Sequence, residues 1–123
     1  MNLEILPDTF AICRLDAAAP IPAWARGDFI SITRTRDELS IVCAQINVPR
    51  DVKCERAWRA LRGIGVLDFA LTGILASLAT PLADAGISIF AISTFDTDYL
   101  LVKQNDFDHA IAILVHAGHA VEK

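Results

Sequence analysis

The chain has 123 residues, of which 54% are hydrophobic, and a formal net charge of −4. This length suits one compact domain or two half-sized modules that share a core, and the acidic balance argues against a nucleic-acid partner, which normally requires a basic face. The mean hydropathy of +0.43 is high for a small soluble monomer, so we expect an oligomer, most simply a homodimer, to cover apolar surface.

The first half of the chain is predicted to contain two β-hairpins. Apolar residues recur at every second position in residues 3–6 and 10–15, and a proline turn separates these two runs. Two β-branched runs, residues 29–34 and 39–44, are joined by four polar residues and predict the second hairpin. Residues 17–26 contain two prolines and can form at most a short helical turn.

The second half begins with a strand-like segment, residues 53–61, and then contains the clearest helix. Apolar side chains recur at three- and four-residue spacing within residues 73–85, which predicts one buried stripe. Thr72 is placed to cap the start of this helix, and Gly86 is placed to end it. Pro81 lies inside the pattern and should kink the last turn or interrupt its hydrogen bonds.

Two more strands, residues 87–94 and 99–103, precede a final helix over residues 107–117. Asp106 is expected to cap this helix, and residues 120–121 to form a last short strand. The side chains expected to be buried on the final helix are Phe107, Ile111, Leu114 and Val115. The order strand, helix, strand, strand, helix, strand predicts an α+β sandwich of the ferredoxin-like βαββαβ type, with both helices on one face of the sheet.

The two halves share a structural repeat. Residues 32–42 lie sixty positions before residues 92–102, and each segment contains a β run, a polar turn and a second β run. A repeat at a fixed offset indicates duplicated modules. The first module is degenerate, because it has no room for two helices.

The most apolar stretch, residues 64–82, does not predict a membrane span. Asp68, Ser77 and Pro81 interrupt it, whereas a membrane-spanning helix needs about 20 predominantly apolar residues. Residues 1–4 have neither the basic start nor the apolar run of a secretory signal. We therefore expect a cytoplasmic protein without a membrane partner.

No spacing in the sequence predicts a metal or cofactor site. Cys13, Cys43 and Cys54 are odd in number and have no Cys-x-x-Cys spacing, which favours buried, reduced thiols. His116 and His119 lack a third ligand at suitable spacing, so we expect them on the surface. All histidines lie in the last 15 residues, and no nucleophile, histidine and acid form a recognisable catalytic cluster.

The run LTGILASLATPLADAGISIFAISTFDTDYLLV, residues 71–102, resembles the ACT domains of aspartate kinases and of the CASTOR-type arginine sensors. The resemblance is strong over residues 61–118 and weaker over the first half, as in small tandem-ACT bacterial proteins. It implies two tandem ACT-like units, a degenerate one over residues 1–60 and a second ACT unit over residues 61–123. It also implies an allosteric regulatory protein and not an enzyme.

The resemblance further implies that an amino acid binds at an interface between ACT units, which this short chain could form only across a dimer. The sensors' ligand segments resemble two places here, the glycine-containing stretch of residues 63–68 before the first helix and the hairpin at residues 94–98. The residues expected to bind the ligand are Gly65, Asp68, Thr72, Gly73, Thr94, Phe95 and Asp98.

The chemistry of these residues suits an amino acid. Backbone N–H groups at the start of the first helix can hold a carboxylate, and Asp68, Asp96 and Asp98 can accept hydrogen bonds from an ammonium or a guanidinium. The same segments could equally be an ordinary helix start and a solvated turn. Two functions therefore stay open, a ligand-binding regulator of a partner enzyme and a ligand-free module for dimerisation or protein interaction.

Overall fold

The computed structural model describes residues 1–65 and 73–122, and the chain forms two compact units. The C-terminal unit comprises Met1–Pro7 and Arg59–Lys123, and the N-terminal unit comprises Asp8–Trp58. The division falls close to residue 60, but the first seven residues belong to the C-terminal unit. The assignment of residues 1–60 and 61–123 to two separate ACT units stays a prediction.

The described residues form eight strands and two α-helices. The strands are β1 (Asn2–Ile5), β2 (Phe10–Leu15), β3 (Ser31–Arg34), β4 (Leu39–Ala44), β5 (Cys54–Gly63), β6 (Ile89–Ser93), β7 (Asp98–Lys103) and β8 (Ala120–Glu122), and the helices are α1 (Ile74–Asp84) and α2 (Phe107–His116). Neither helix is long and apolar enough to cross a membrane.

The C-terminal unit has the predicted α+β architecture. Its strands follow the order β6-β7-β5-β1-β8, and the chain passes through β5, α1, β6, β7, α2 and β8, which confirms the ferredoxin-like sequence of elements. Strand β1 adds to this pattern. It pairs antiparallel with β5, where Leu3 faces Gly63, and parallel with β8, where Asn2 faces Ala120.

The predicted hairpin of residues 3–6 and 10–15 is wrong, although both strands exist. Strand β1 pairs with β5 and β8, whereas β2 pairs with β4 and β5. The reason is burial, because Leu3 is only 1% exposed in the core beneath the helices of the C-terminal unit. Apolar alternation predicts a strand, but its partner depends on which core can bury the apolar face.

The core of the C-terminal unit lies between its sheet and the two helices. The buried side chains that form it are Leu3, Leu61, Leu78, Leu82, Ile87, Leu100, Val102, Phe107, Ala110 and Leu114. On α2 the buried stripe runs through Phe107, Ala110 and Leu114, so the prediction for Phe107 and Leu114 is confirmed. Ile111 is half-buried, and the expectation for Val115 is wrong, because this side chain lies past the stripe and is 52% exposed.

Both helices end in the same way. Gly86 and Gly118 have φ values of 75° and 101°, a left-handed conformation that glycine adopts readily. In each case the glycine N–H bonds the carbonyl three residues earlier, and the next N–H, from Ile87 or His119, bonds the carbonyl five residues earlier. These are Schellman endings. At the start of α2, Asp106 makes no side-chain capping bond, contrary to expectation.

Pro81 lies inside α1, which continues to Asp84. Proline has no N–H, so the carbonyl of Ser77, four residues earlier, loses its helical donor. The Nε2 atom of His119 lies 3.0 Å from that carbonyl oxygen and replaces the missing donor. The surface expectation for His119 is therefore wrong, since this residue is only 9% exposed, while His116 is exposed as predicted.

The N-terminal unit is a small sheet in the order β3-β4-β2-β5. The predicted hairpin of β3 and β4 is confirmed, and Arg34 faces Leu39 next to its turn. Residues 17–26 form turns, and residues 8–58 contain no α-helix, which agrees with a degenerate unit. The side chains that form its core are Ala11, Cys13, Leu39, Ile41, Cys43 and Val48.

Strand β5 contains a bulge in the N-terminal unit. Between the pairs Ile12 with Glu55 and Phe10 with Trp58, two residues of β5, Arg56 and Ala57, lie opposite one residue of β2, Ala11. Ala57 lies in the bulge with a φ of 64°. Its N–H donates to Oε1 of Gln45 at 2.6 Å. A bulge of this kind adds a residue to one strand and increases the local twist.

Candidate functional site

The turn between β6 and β7 is closed by two threonines. The Thr94 N–H donates to the Thr97 carbonyl at 2.8 Å, and the Thr94 hydroxyl donates to the same oxygen at 3.0 Å. The Thr97 N–H in turn lies 3.3 Å from Thr94 Oγ1, which accepts its hydrogen bond. Thr94, predicted to bind the ligand, therefore holds the shape of the turn.

Thr97 joins this hairpin to the end of β5. Its side chain is buried, with 5% exposure, and its hydroxyl donates to the Gly63 carbonyl at 2.9 Å. A Cβ atom on Gly63 would lie 2.6 Å from Thr97 Oγ1 and 2.7 Å from the Met1 side chain. Only a glycine permits this close approach. Gly63, the first residue of one segment that the sequence indicated, thus contacts the hairpin, which is the other.

Asp98 is the first residue of β7 and faces Ser93, the last residue of β6. Its Oδ1 atom accepts a hydrogen bond from the Ser93 hydroxyl at 2.6 Å. The residue is partly exposed. A carboxylate has lone pairs for further donors beyond this one, so Asp98 retains the capacity to bind a cation at the edge of the hairpin.

Three of the remaining predicted residues, Phe95, Gly65 and Gly73, lie in the described part of the chain. Phe95 is at the tip of the turn and is 79% exposed. Gly65 follows the end of β5 with a φ of 89°, and Gly73 precedes α1 with a φ of 77°. Asp68 and Thr72 lie outside the described residues, so the roles given to them, including the Thr72 cap, stay predictions.

Sequence reasoning missed Thr97, which joins the hairpin to the end of β5, and Ser93, which bonds Asp98 within the hairpin. The sequence indicates the roles of these two residues only weakly, because hydroxyl residues are common in turns and bond to nearby backbone. What distinguishes Thr97 is a hydrogen bond to a residue 34 positions away, and no local pattern reports it.

The basic side chains of β5 serve the fold. Arg56 donates to the Pro49 carbonyl at 2.9 Å, and the Arg59 guanidinium lies 4.8 Å from the centre of the Phe107 ring. Arg62 forms a hydrogen-bonded ion pair with Glu4, and the hydrogen bond raises the pKa of the Arg62 guanidinium. Each of these cations is therefore already engaged.

A shallow depression lies elsewhere, in the N-terminal unit. It has a volume of about 230 Å³ and is lined by Ile12, Cys13, Arg14, Lys53, Cys54 and Glu55. None of the residues predicted to bind the ligand is among those that line it. No group of three or more metal-ligating side chains occurs among residues 1–65 and 73–122.

Comparison with known proteins identifies the family. The ACT domain profile matches residues 53–116, which is more than half of the chain, and a second profile, for an N-terminal domain, matches residues 8–51. The chain belongs to the ACT domain family. The resemblance found in residues 71–102 is thereby confirmed.

Among curated proteins, the human cytosolic arginine sensor for mTORC1 subunit 1 is 33% identical over 107 residues. The match covers 80% of this chain and 32% of the human protein. The chain therefore spans about a third of the length of that relative.

Among solved structures, a protein from Agrobacterium tumefaciens is 46% identical, has a TM-score of 0.93, and is matched over 98% of this chain and 90% of its own. The regulatory subunit of aspartate kinase from Thermus thermophilus is 12% identical with a TM-score of 0.62, matched over 90% of this chain and 93% of that one. The second similarity supports the tandem ACT-like fold.

Proposed function

We propose that this protein is an amino-acid-binding regulator whose ligand binds where one ACT unit meets another across a homodimer. The proposal rests on one observation above all. The buried hydrogen bond from Thr97 to Gly63 holds the end of β5 against the β6–β7 hairpin, beside the partly exposed Asp98. The residues proposed to contact the ligand remain Gly65, Asp68, Thr72, Gly73, Thr94, Phe95 and Asp98.

The proposed contacts divide by chemistry. Asp98 accepts hydrogen bonds from a cationic group of the ligand, because charge-assisted bonds of this kind are the strong ones. Phe95, which is exposed at the tip of the turn, covers the apolar part of the ligand. Backbone N–H groups near Gly65 and Gly73 hold the α-carboxylate.

A basic amino acid is the best candidate for the ligand. The curated human relative is named as an arginine sensor, and an arginine side chain offers a planar guanidinium that can bond a carboxylate with two parallel hydrogen bonds. The protein then acts without catalysis of its own. Ligand binding changes its affinity for a regulated enzyme or another partner, and the partner changes the affinity for the ligand by the same factor.

The test is thermal unfolding of the full chain with each of the twenty amino acids in turn. A ligand that binds only the folded state stabilises it by about 2.7 kcal/mol at a hundred times its Kd, so one or two amino acids should raise the unfolding temperature. Asp98→Asn should abolish the rise. Asp84→Asn, a change at an exposed carboxylate at the end of α1, is the matched control and should retain it.

Twenty unchanged unfolding temperatures would contradict the proposal. The alternative, a ligand-free module for dimerisation or protein interaction, would then be favoured. Its supporting observation is the exposure of large apolar side chains, with Ile46 at 93% and Phe95 at 79%.

A further inference from the structure

Two of the three cysteines face each other across the pair of β2 and β5 in the N-terminal unit. Cys13 and Cys54 are direct register partners. In the next pair, the Arg14 N–H donates to the Lys53 carbonyl at 3.0 Å. Hydrogen-bonded and non-hydrogen-bonded pairs alternate in an antiparallel ladder, so Cys13 and Cys54 form a non-hydrogen-bonded pair, with Cα atoms about 4.5 Å apart. A disulfide spans Cα separations of about 4.4–6.8 Å.

Cys43 is out of reach of both partners, although it lies in the same core. On β4, the residue that faces Cys13 is Ile41, so Cys43 is its diagonal neighbour. Such neighbours are about 7–8 Å apart, beyond the range of a disulfide. Strands β4 and β5 lie on either side of β2, which places Cys43 more than two strand spacings, about 9–10 Å, from Cys54.

The two facing thiols differ in access to solvent. Cys13 is 2% exposed, and burial is the main cause that raises the pKa of its thiol to about 12. Cys54 is partly exposed, and both residues line the depression in the N-terminal unit. A small oxidant in that depression would therefore meet Cys54 first.

We propose that Cys13 and Cys54 are an oxidation site and form a reversible disulfide with hydrogen peroxide as the oxidant. The Cys54 thiolate attacks one peroxide oxygen, the O–O bond breaks, and the departing hydroxide takes a proton to become water, which leaves Cys54 as a sulfenic acid. The Cys13 sulfur then attacks the Cys54 sulfur. The S–O bond breaks, and the second hydroxide leaves as water with the Cys13 proton. Two thiols are oxidised and one peroxide is reduced to two waters.

The disulfide would close a loop of the chain between residues 13 and 54 and would cross-link β2 to β5. A cross-link of this length restricts the unfolded chain. The oxidised protein should therefore unfold several degrees higher than the reduced protein. In a reducing compartment the bond would be cleaved by thiol exchange, which makes the modification reversible.

The experiment treats the reduced full chain with hydrogen peroxide, counts free thiols after denaturation, and maps disulfide-linked peptides. Three thiols per chain should fall to one, and the linked peptides should contain Cys13 and Cys54. Dithiothreitol should restore all three. Cys43→Ala is the matched control and should lose its two thiols together, whereas Cys54→Ala should form no intramolecular disulfide.

Peptide mapping of the unsubstituted protein keeps the test independent of any variant that folds poorly. Retention of three thiols, a disulfide that contains Cys43, a disulfide between chains, or oxidation that stops at a sulfinic acid would each overturn the proposal.

Discussion

His119 shows how a single side chain completes a helix to which it does not belong. Its ring lies 3.0 Å from the carbonyl that Pro81 leaves without a donor. Since a carbonyl only accepts, Nε2 carries the proton, and the Nδ1 atom is buried without a hydrogen-bond partner among the described residues. The sequence showed both residues, but no local pattern links a proline in one helix to a histidine that follows another.

We expect His119→Ala to lower the free energy of unfolding by about 1–3 kcal/mol, because it removes the donor to the partly buried Ser77 carbonyl. Urea unfolding monitored by circular dichroism measures the change. His116→Ala, at an exposed position three residues earlier, is the control and should stay within about 0.5 kcal/mol of the unsubstituted protein. Equal effects of both variants would mean that the hydrogen bond contributes nothing.

At the scale of elements, the sequence predicted the strands and helices well but predicted some of their partners wrongly. Periodicity identifies an apolar face, which is why β1, β2 and α1 were found. Partner choice depends on contacts between distant residues, which is why β1 was placed in a hairpin and not between β5 and β8. For the same reason, the sequence does not predict the hydrogen bond between Thr97 and Gly63, which lie 34 positions apart.

Because Gly63 of β5 contacts Thr97 of the β6–β7 hairpin, we expect substitutions at these two residues to have coupled effects on stability. Gly63→Ala should cost about 1–3 kcal/mol of stability, because its Cβ would lie 2.6 Å from Thr97 Oγ1. In a Thr97→Ala background, which removes that oxygen, the cost should be smaller. A double-mutant cycle by urea unfolding measures the difference. Additive effects would contradict the close packing of these two segments.

At the scale of the whole molecule, the sequence was sufficient to identify the family but not to test the ligand site. The motif in residues 71–102 lies within the ACT domain match. Of the proposed ligand residues, Thr94 and Asp98 serve the hairpin through hydrogen bonds of their own. A ligand adds contacts that a sequence pattern does not specify.

The central claim is amino-acid binding that depends on the β6–β7 hairpin, and isothermal titration calorimetry tests it most directly. The titration uses arginine first and then any amino acid that raises the unfolding temperature. We predict saturable binding that Asp98→Asn weakens at least about tenfold, a loss of about 1.4 kcal/mol, and that Asp84→Asn leaves unchanged. Equal affinity in all three proteins, or no heat from any of the twenty amino acids, would contradict the account.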